Sequence, residues 1–438
     1  MTTHFPRLAE TVHSQQHRLP SLYGDFDFDA VPYRLTTDPS DASALPARVG
    51  DRQSLLDDPE TVELMSIATF LGDIPADSYA ALSASHSVSH LIAMLRTACQ
   101  QGLDAVPDAP PELSSFIRAL EDTPDWIDMS LVAEGARRAR VDAALLAPFI
   151  TRGAFIATFT NTYAALPMAL TGALSGKRAA HRVNETTSFF AVTTMPGALD
   201  RFGPGFEAAA MVRLMHSMVR FHALTKSDVW DTSVYGLPVP QVDQMPAGLI
   251  GMYLLSQRVI RAGRSSFTPG ERALVEFSRY RCFLLGLPEE LVPSEPDDII
   301  RQFHGRAAVL RHGFDETCRR LVNSTMSAYL RPTESWFDRI ADAVERSYSA
   351  VGFMIAFCGG DIRAAARMGV DIGVADYARI AATAPFIVGR IAAVRTAVRV
   401  PVLRDPVDHY LVRLLDRRLV TYGKPEFTSD SSTYTPAV

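Results

Sequence analysis

The sequence predicts an all-α protein, and three observations carry that expectation. Apolar residues recur at helical spacing in blocks parted by Gly and Pro breakers. Strand-like alternation is scarce, and no repeat of fixed period occurs. Residues 206–225, FEAAAMVRLMHSMVRFHALT, are apolar at nearly every position after a Gly203-Pro204-Gly205 breaker, the pattern of a helix buried all round.

The 438 residues suffice for one large helical domain or two intimately packed ones. A formal charge of −6 without any basic run excludes a nucleic-acid partner. Lysine occurs only at 177, 226 and 424, so the basic residues are almost all arginine. Cys99, Cys282, Cys318 and Cys358 are far apart with no CxxC spacing, which reads as reduced, buried thiols. HExxH, GxSxG, Walker and GxGxxG patterns are all missing, which sets aside zinc hydrolases, serine hydrolases and nucleotide-dependent enzymes.

The amino terminus has no apolar segment or cleavage pattern, so the expected location is cytoplasmic. Residues 21–50 read as an extended arm pinned by Phe26, Phe28 and Tyr33. Residues 59–101 are helical in pattern. His86 and His90 there share an i, i+4 face that can bind a metal, but the Ser-rich surroundings suggest a helix start and no third ligand is near. Residues 102–124, rich in Pro and Asp, read as a linker. Residues 153–176 carry no charge and are long enough for a membrane span. The polar cluster from Thr158 to Tyr163, with Pro167 breaking the pattern, favours a buried helix pair or one kinked helix. No integral span is expected, and peripheral membrane association stays open.

A helix over residues 179–193 places Arg182, Glu185 or Thr186, and Phe189 on one face. Its plainest reading is an ordinary surface with a local Arg182–Glu185 ion pair. Asp243 reads as the cap of the helix that follows it. Glu271, Arg272, Glu276, Arg279 and Arg281 read as solvated helix faces, and residues 361–399 as an interaction surface.

The polar residues of the apolar stretch matter most. Arg213, His216 and Arg220 stand at i, i+3 and i+7, on a single face. Buried and unpaired, each arginine would carry a penalty on the order of several kcal/mol, so something acidic must lie along this stripe. The nearby sequence offers little acid. A ligand with two carboxylates and a metal seeking an imidazole would satisfy all three, and haem is such a ligand.

The segment VRLMHSMVR, with RVNET at 182–186 and YGLPVPQVDQ at 235–244, resembles the latex-clearing protein and MpaB-type oxygenase superfamily. The resemblance covers roughly residues 55–300, with RxxHxxxR its most specific part. It implies a globin-like helical core holding haem b through His216, with Arg213 and Arg220 as basic companions and Arg182 and Thr186 as the haem-side pair. The division it suggests is an arm at 1–54, a haem-binding core at 55–300, further helices at 301–420 and a flexible tail at 421–438.

The chain departs from the latex-clearing pattern twice. Glu185 stands where those enzymes carry a lysine able to reach the sixth iron position. Their upstream glutamate has no counterpart either, since no acid occurs from Gly153 to Asn184. Glu185 and Thr186 are accordingly the candidate catalytic residues. The resulting expectation is an oxygenase using haem b and dioxygen on a hydrophobic small molecule, by oxidative C=C cleavage or oxygen insertion. Two alternatives stand beside it: a non-catalytic carrier of haem or a hydrophobic ligand, and a peroxide-using haem enzyme. His181, His222, His304 and His312 rank behind His216 as ligands, because none has arginines flanking it on an apolar face.

Overall fold

The computed structural model describes residues 3–171 and 178–422. Helices of eight or more residues are numbered in chain order: α1 Pro6–Arg18, α2 Pro59–Ala68, α3 Ile74–Ala81, α4 Val88–Gln101, α5 Pro111–Glu121, α6 Met129–Leu145, α7 Ala147–Ile156, α8 Thr162–Leu170, α9 Arg178–Val192, α10 Pro204–Thr225, α11 Gln241–Arg261, α12 Pro269–Leu284, α13 Pro296–Val309, α14 Glu316–Ser327, α15 Trp336–Phe357, α16 Val374–Ala397 and α17 Pro401–Tyr422. Among the described residues the only β pairing is two isolated antiparallel bridges, Leu35 with Leu310 and Ser43 with Arg311. The all-α expectation holds.

Two compact units divide the described residues: 3–135 and 200–313 form one, 136–171, 178–199 and 314–422 the other. These units cut across the sequential boundaries expected at residues 54, 300 and 420. The expected tail lies outside the described residues from 423 onward, and Thr421 and Tyr422 still belong to α17.

In the first unit α10 packs on α3, α4 and α12, and α11 on α12 and α13. Pro204 occupies the first helical turn of α10, where its missing N–H is harmless. Glu207, in that turn, accepts from Arg96 at 3.2 Å and Gln100 at 2.9 Å on α4. The supposed linker at 102–124 contains α5, because Leu113, Phe116, Ile117 and Leu120 repeat at helical spacing and are all fully buried. Burial of each contributes about 1.5–3 kcal/mol, which outweighs the Pro- and Asp-rich flanks. Phe26 and Phe28 do pin the arm, buried with their rings tilted and 4.7 Å apart, whereas Tyr33 stays exposed beneath the Arg311 guanidinium. Glu276 and Arg279 are not solvated: they form a buried pair at 2.9 Å, and Arg279 also donates to the Val292 carbonyl.

In the second unit α7 and α15 lie so close that a Cβ on Gly153 would stand 2.6 Å from the Ser349 carbonyl oxygen, which is why glycine sits there. Phe155, Ile156, Phe353 and Met354 fill the core beside this contact. The described part of the uncharged stretch, 153–171, contains the end of α7 and all of α8, a helix pair as expected. Its break falls at Asn161, whose side chain caps α8, and Pro167 lies inside that helix rather than ending it. Residues 172–177 lie outside the described residues. Leu411 and Leu415 of α17 cluster with Leu145 and with Ala191 of α9. Helix α16 alone among the described helices is long and apolar enough to cross a membrane, and Val374, Phe386 and Val388 on it are exposed.

Candidate functional site

Arg213, His216 and Arg220 share one face of α10, but the acid they require comes from the protein. Asp73 receives a bidentate pair from Arg213, Nε at 2.6 Å and Nη2 at 2.8 Å. Asp77 receives Nη1 of Arg220, whose Nε and Nη2 donate to the carbonyls of Pro238 at 3.0 Å and Val239 at 2.5 Å. The expectation that a ligand's carboxylates neutralise this stripe is therefore corrected. Asp73 and Asp77 stand four residues apart at the start of α3, far from α10 in sequence and packed on it in space. Arg220 in particular does not fit a propionate-binding role, because each of its three nitrogens is engaged and its side chain is fully buried. Burial pushes the Asp77 carboxyl above its ordinary range against the pull of Arg220. Burial, and after it Asp77, drives the Tyr23 hydroxyl, which donates to Asp77 at 2.5 Å, well up. Gly286, at φ +92°, closes over the Arg213–Asp73 pair, where a Cβ would meet Asp73 Oδ2 at 2.8 Å. Arg213 Nη1 stays buried without a hydrogen-bond partner.

His216 belongs to a different network. Gln241 donates through Nε2 to the Gly72 carbonyl at 3.5 Å, so its Oε1 is left to accept from Gln244 Nε2 at 2.8 Å. Gln244 Oε1 must then be the acceptor facing His216 Nδ1, 2.8 Å away. A carbonyl at the end of the chain cannot donate, and so it orients every amide before it. In that orientation the Gln244 carbonyl oxygen faces Nδ1, the contact that a ring protonated at Nδ1 satisfies. This is the tautomer in which a histidine ligates a metal, with its other nitrogen held by an oxygen acceptor.

Arg182, Glu185 and Thr186 lie on α9, in the second unit. Glu185 is 5% exposed and bridges Arg182 Nη1 at 3.3 Å and His181 Nε2 at 3.2 Å, and His181 is exposed. The Thr186 hydroxyl donates to the Arg182 carbonyl one turn back, at 3.2 Å. The local ion pair of the plainer reading is thus present, extended by a histidine that reaches solvent.

Asp243 is no helix cap. It lies in the first turn of α11, makes no capping bond, and instead accepts from Arg34 at 2.7 and 2.8 Å and from Arg306 at 2.7 Å. Burial opposes its charge, but the two guanidiniums hold its carboxyl below the usual carboxylate range. His86 precedes Ser87, the N-cap of α4, so it and His90 do not share a helix, although their exposed rings stack at 5.9 Å. His304 is held by the Tyr253 hydroxyl at 2.9 Å, and burial lowers the pKa of His222.

With this geometry in place, comparison with known proteins is informative. The family described as "ER-bound oxygenase mpaB/B'/Rubber oxygenase, catalytic domain" matches residues 143–389, more than half of the chain. The chain belongs to this oxygenase family. The match begins and ends later than the resemblance read from the sequence, and it contains Arg182, Glu185, Thr186, Arg213, His216 and Arg220. A solved structure titled "Structure of Latex Clearing Protein LCP in the closed state" shares the fold, with a TM-score of 0.56 and 16% identity over 80% of this chain and 91% of that one. Among curated proteins none matches.

Within this oxygenase the residues present fit a haem at two atoms. His216 presents Nδ1 to the Gln244 amide oxygen, the contact a metal-bound histidine makes through its second nitrogen, and Arg213 Nη1 is a buried donor that Asp73 does not satisfy. Reading the sequence missed Asp73, Asp77, Gln241 and Gln244. The signals were present: two acids four apart in the apolar run FLGDIPADSYAA, and two glutamines three apart at the start of α11.

Proposed function

We propose that this chain is a haem b-dependent oxygenase that acts with dioxygen on a hydrophobic organic molecule, cleaving a C=C bond or inserting oxygen. Membership of an oxygenase family supports the reaction class. Rubber, named in the family's description, is a hydrocarbon, which supports an apolar substrate. The observation that carries the reading is the amide relay from the Gly72 carbonyl through Gln241 and Gln244 to His216 Nδ1.

Haem, when bound, would supply the dioxygen chemistry that no side chain possesses. His216 would hold the iron through Nε2, and Gln244 fixes the ring's rotation and keeps its proton on Nδ1. Arg213 holds its position through Asp73 and keeps one donor for an acidic group. Glu185 would hold a proton during turnover and exchange it with solvent through His181, 3.2 Å away. Changing Glu185 to Gln is expected to lower turnover at least tenfold with haem content unchanged. Full turnover in that variant would remove the role.

The test of the cofactor is an absorption spectrum of protein expressed with a haem precursor, beside His216→Ala and Gln244→Leu. The parent should show a Soret band that is lost or shifted in His216→Ala. In Gln244→Leu, haem affinity should fall by roughly 10–100-fold, the usual effect of losing the group that orients a metal-bound histidine. A parent that stays colourless with added hemin sinks the proposal.

A further inference from the structure

Asn184 and Thr187 occupy the side of α9 turned away from Arg182 and Thr186. There they line a cavity of about 140 Å³ enclosed by residues of the second unit alone, including Arg331, Glu345 of α15, and Arg418 and Tyr422 of α17. The charges around it do not balance. Asp342 pairs with both Arg152 and Arg346, the latter at 2.6 Å, and Glu345 pairs with Arg331 at 2.5 Å. Among the described residues Arg418 has no ion pair of its own and faces Glu345, which Arg331 already holds, so four guanidiniums share two carboxyls. The polar atoms repeat this imbalance: Arg418 Nη1, Arg331 Nε and Asn184 Oδ1 are all buried without a hydrogen-bond partner. Burial lowers the pKa of Arg418 and, against the pull of Arg331 and Arg152, pushes the Glu345 carboxyl up to about 7.

A native fold rarely leaves two buried donors and an acceptor unmet so near one cavity, because each carries the full cost of lost hydration. Guanidiniums that line a void, as those of Arg331 and Arg418 do, are the chemistry that recognises carboxylate and phosphate oxygens. We propose that this cavity binds a small oxyanion, a carboxylate or a phosphate. Arg418 and Arg331 donate to its oxygens, and Asn184 accepts from a hydroxyl of the same ligand. At about 30 Å³ per water displaced, the space admits roughly four to six non-hydrogen atoms.

The test is isothermal titration calorimetry of the full chain with sodium acetate, sodium lactate and sodium phosphate, against sodium chloride at equal ionic strength. Saturable binding of a carboxylate, of phosphate or of both supports the site and names its source. No saturable binding by any of the three overturns it. Arg418→Met is expected to weaken binding at least tenfold, and Arg418→Lys to restore part of it. Should Arg418→Met fail to fold, Asn184→Leu fills the cavity without touching a charge and is expected to abolish binding. An unchanged affinity in whichever of these folds overturns the proposal. Glu345 faces Arg331, Arg152, Asp342, Arg418 and Tyr422, and its own charge repels the ligand. Binding of acetate or lactate, which stay fully ionised over this range, should therefore be several-fold tighter at pH 6 than at pH 8 and flat with pH in Glu345→Gln. A slope that survives in that variant removes the ligand from this cavity.

Discussion

Arg213 and Arg220 in the first unit each meet one aspartate, whereas in the second unit Arg152, Arg331, Arg346 and Arg418 share Asp342 and Glu345. Both regions bury guanidiniums among helices. They differ in stoichiometry, and the difference separates architecture from recognition. A matched pair such as Arg220–Asp77 has both charges satisfied and ties α10 to α3, so it needs no further partner. A surplus of guanidiniums around a cavity leaves donors that no described residue satisfies. Sequence reasoning assigned the ligand's carboxylates to the matched stripe, because it could see the arginines and not what packs on them.

The sharpest way to break this comparison is to remove one member of a matched pair. Arg220→Met leaves Asp77 fully buried beside Tyr23 without the guanidinium that pairs with it. Breaking a buried pair from one side is expected to cost about 3–5 kcal/mol, measured by urea denaturation. A loss below about 1 kcal/mol would show that the pair is not what holds α3 against α10.

Glu345 offers the next largest effect, and it depends on pH. Its folded pKa of about 7 lies above the ordinary glutamate value of 4.5, so the folded state binds the proton more tightly than the unfolded one. The stability this contributes is fully present below pH 4.5 and is lost as pH rises through about 7. Glu345→Gln carries a permanently neutral group there. It should match the parent near pH 4.5 and exceed it by up to about 3 kcal/mol at pH 8, from a shift of about 2.5 units at 1.36 kcal/mol each. Identical pH profiles for parent and variant would mean that Arg331 already compensates the buried charge.

How much of this was legible in the sequence follows from the range of each interaction. The helices were readable because their period is local: Leu113, Phe116, Ile117 and Leu120 announce α5 even inside a Pro-rich stretch. The shared face of Arg213, His216 and Arg220 was readable for the same reason. Their partners were not, because Asp73 and Asp77 lie about 140 residues away, and only packing brings them to α10. Gln244 was hidden by its neighbour: Asp243 drew attention as a cap, while the neutral amide beside it orients His216. The second-unit cluster draws on α7, α15, α17 and the chain before α15, and no motif joins segments so far apart.

The smallest expected effect is the most discriminating for the comparison itself. Arg346 lies within the surplus: it donates to Asp342 Oδ2 at 2.6 Å, yet its side chain is 40% exposed and Asp342 is also held by Arg152. Removing it should therefore leave no unpaired carboxylate, and should relieve some repulsion among the remaining guanidiniums. Arg346→Gln is expected to change stability by less than about 1 kcal/mol, the range of a solvent-screened pair, against the several lost in Arg220→Met. The contrast has a direct physical cause. Taking one cation from a balanced buried pair strands an anion, while taking one from an excess moves the cluster toward neutrality. A loss of 3 kcal/mol or more in Arg346→Gln, by the same urea measurement, would mean that all four arginines are needed to hold Asp342 and Glu345. The cluster would then be balanced like the stripe on α10, and the case for a bound anion would lose its electrostatic footing.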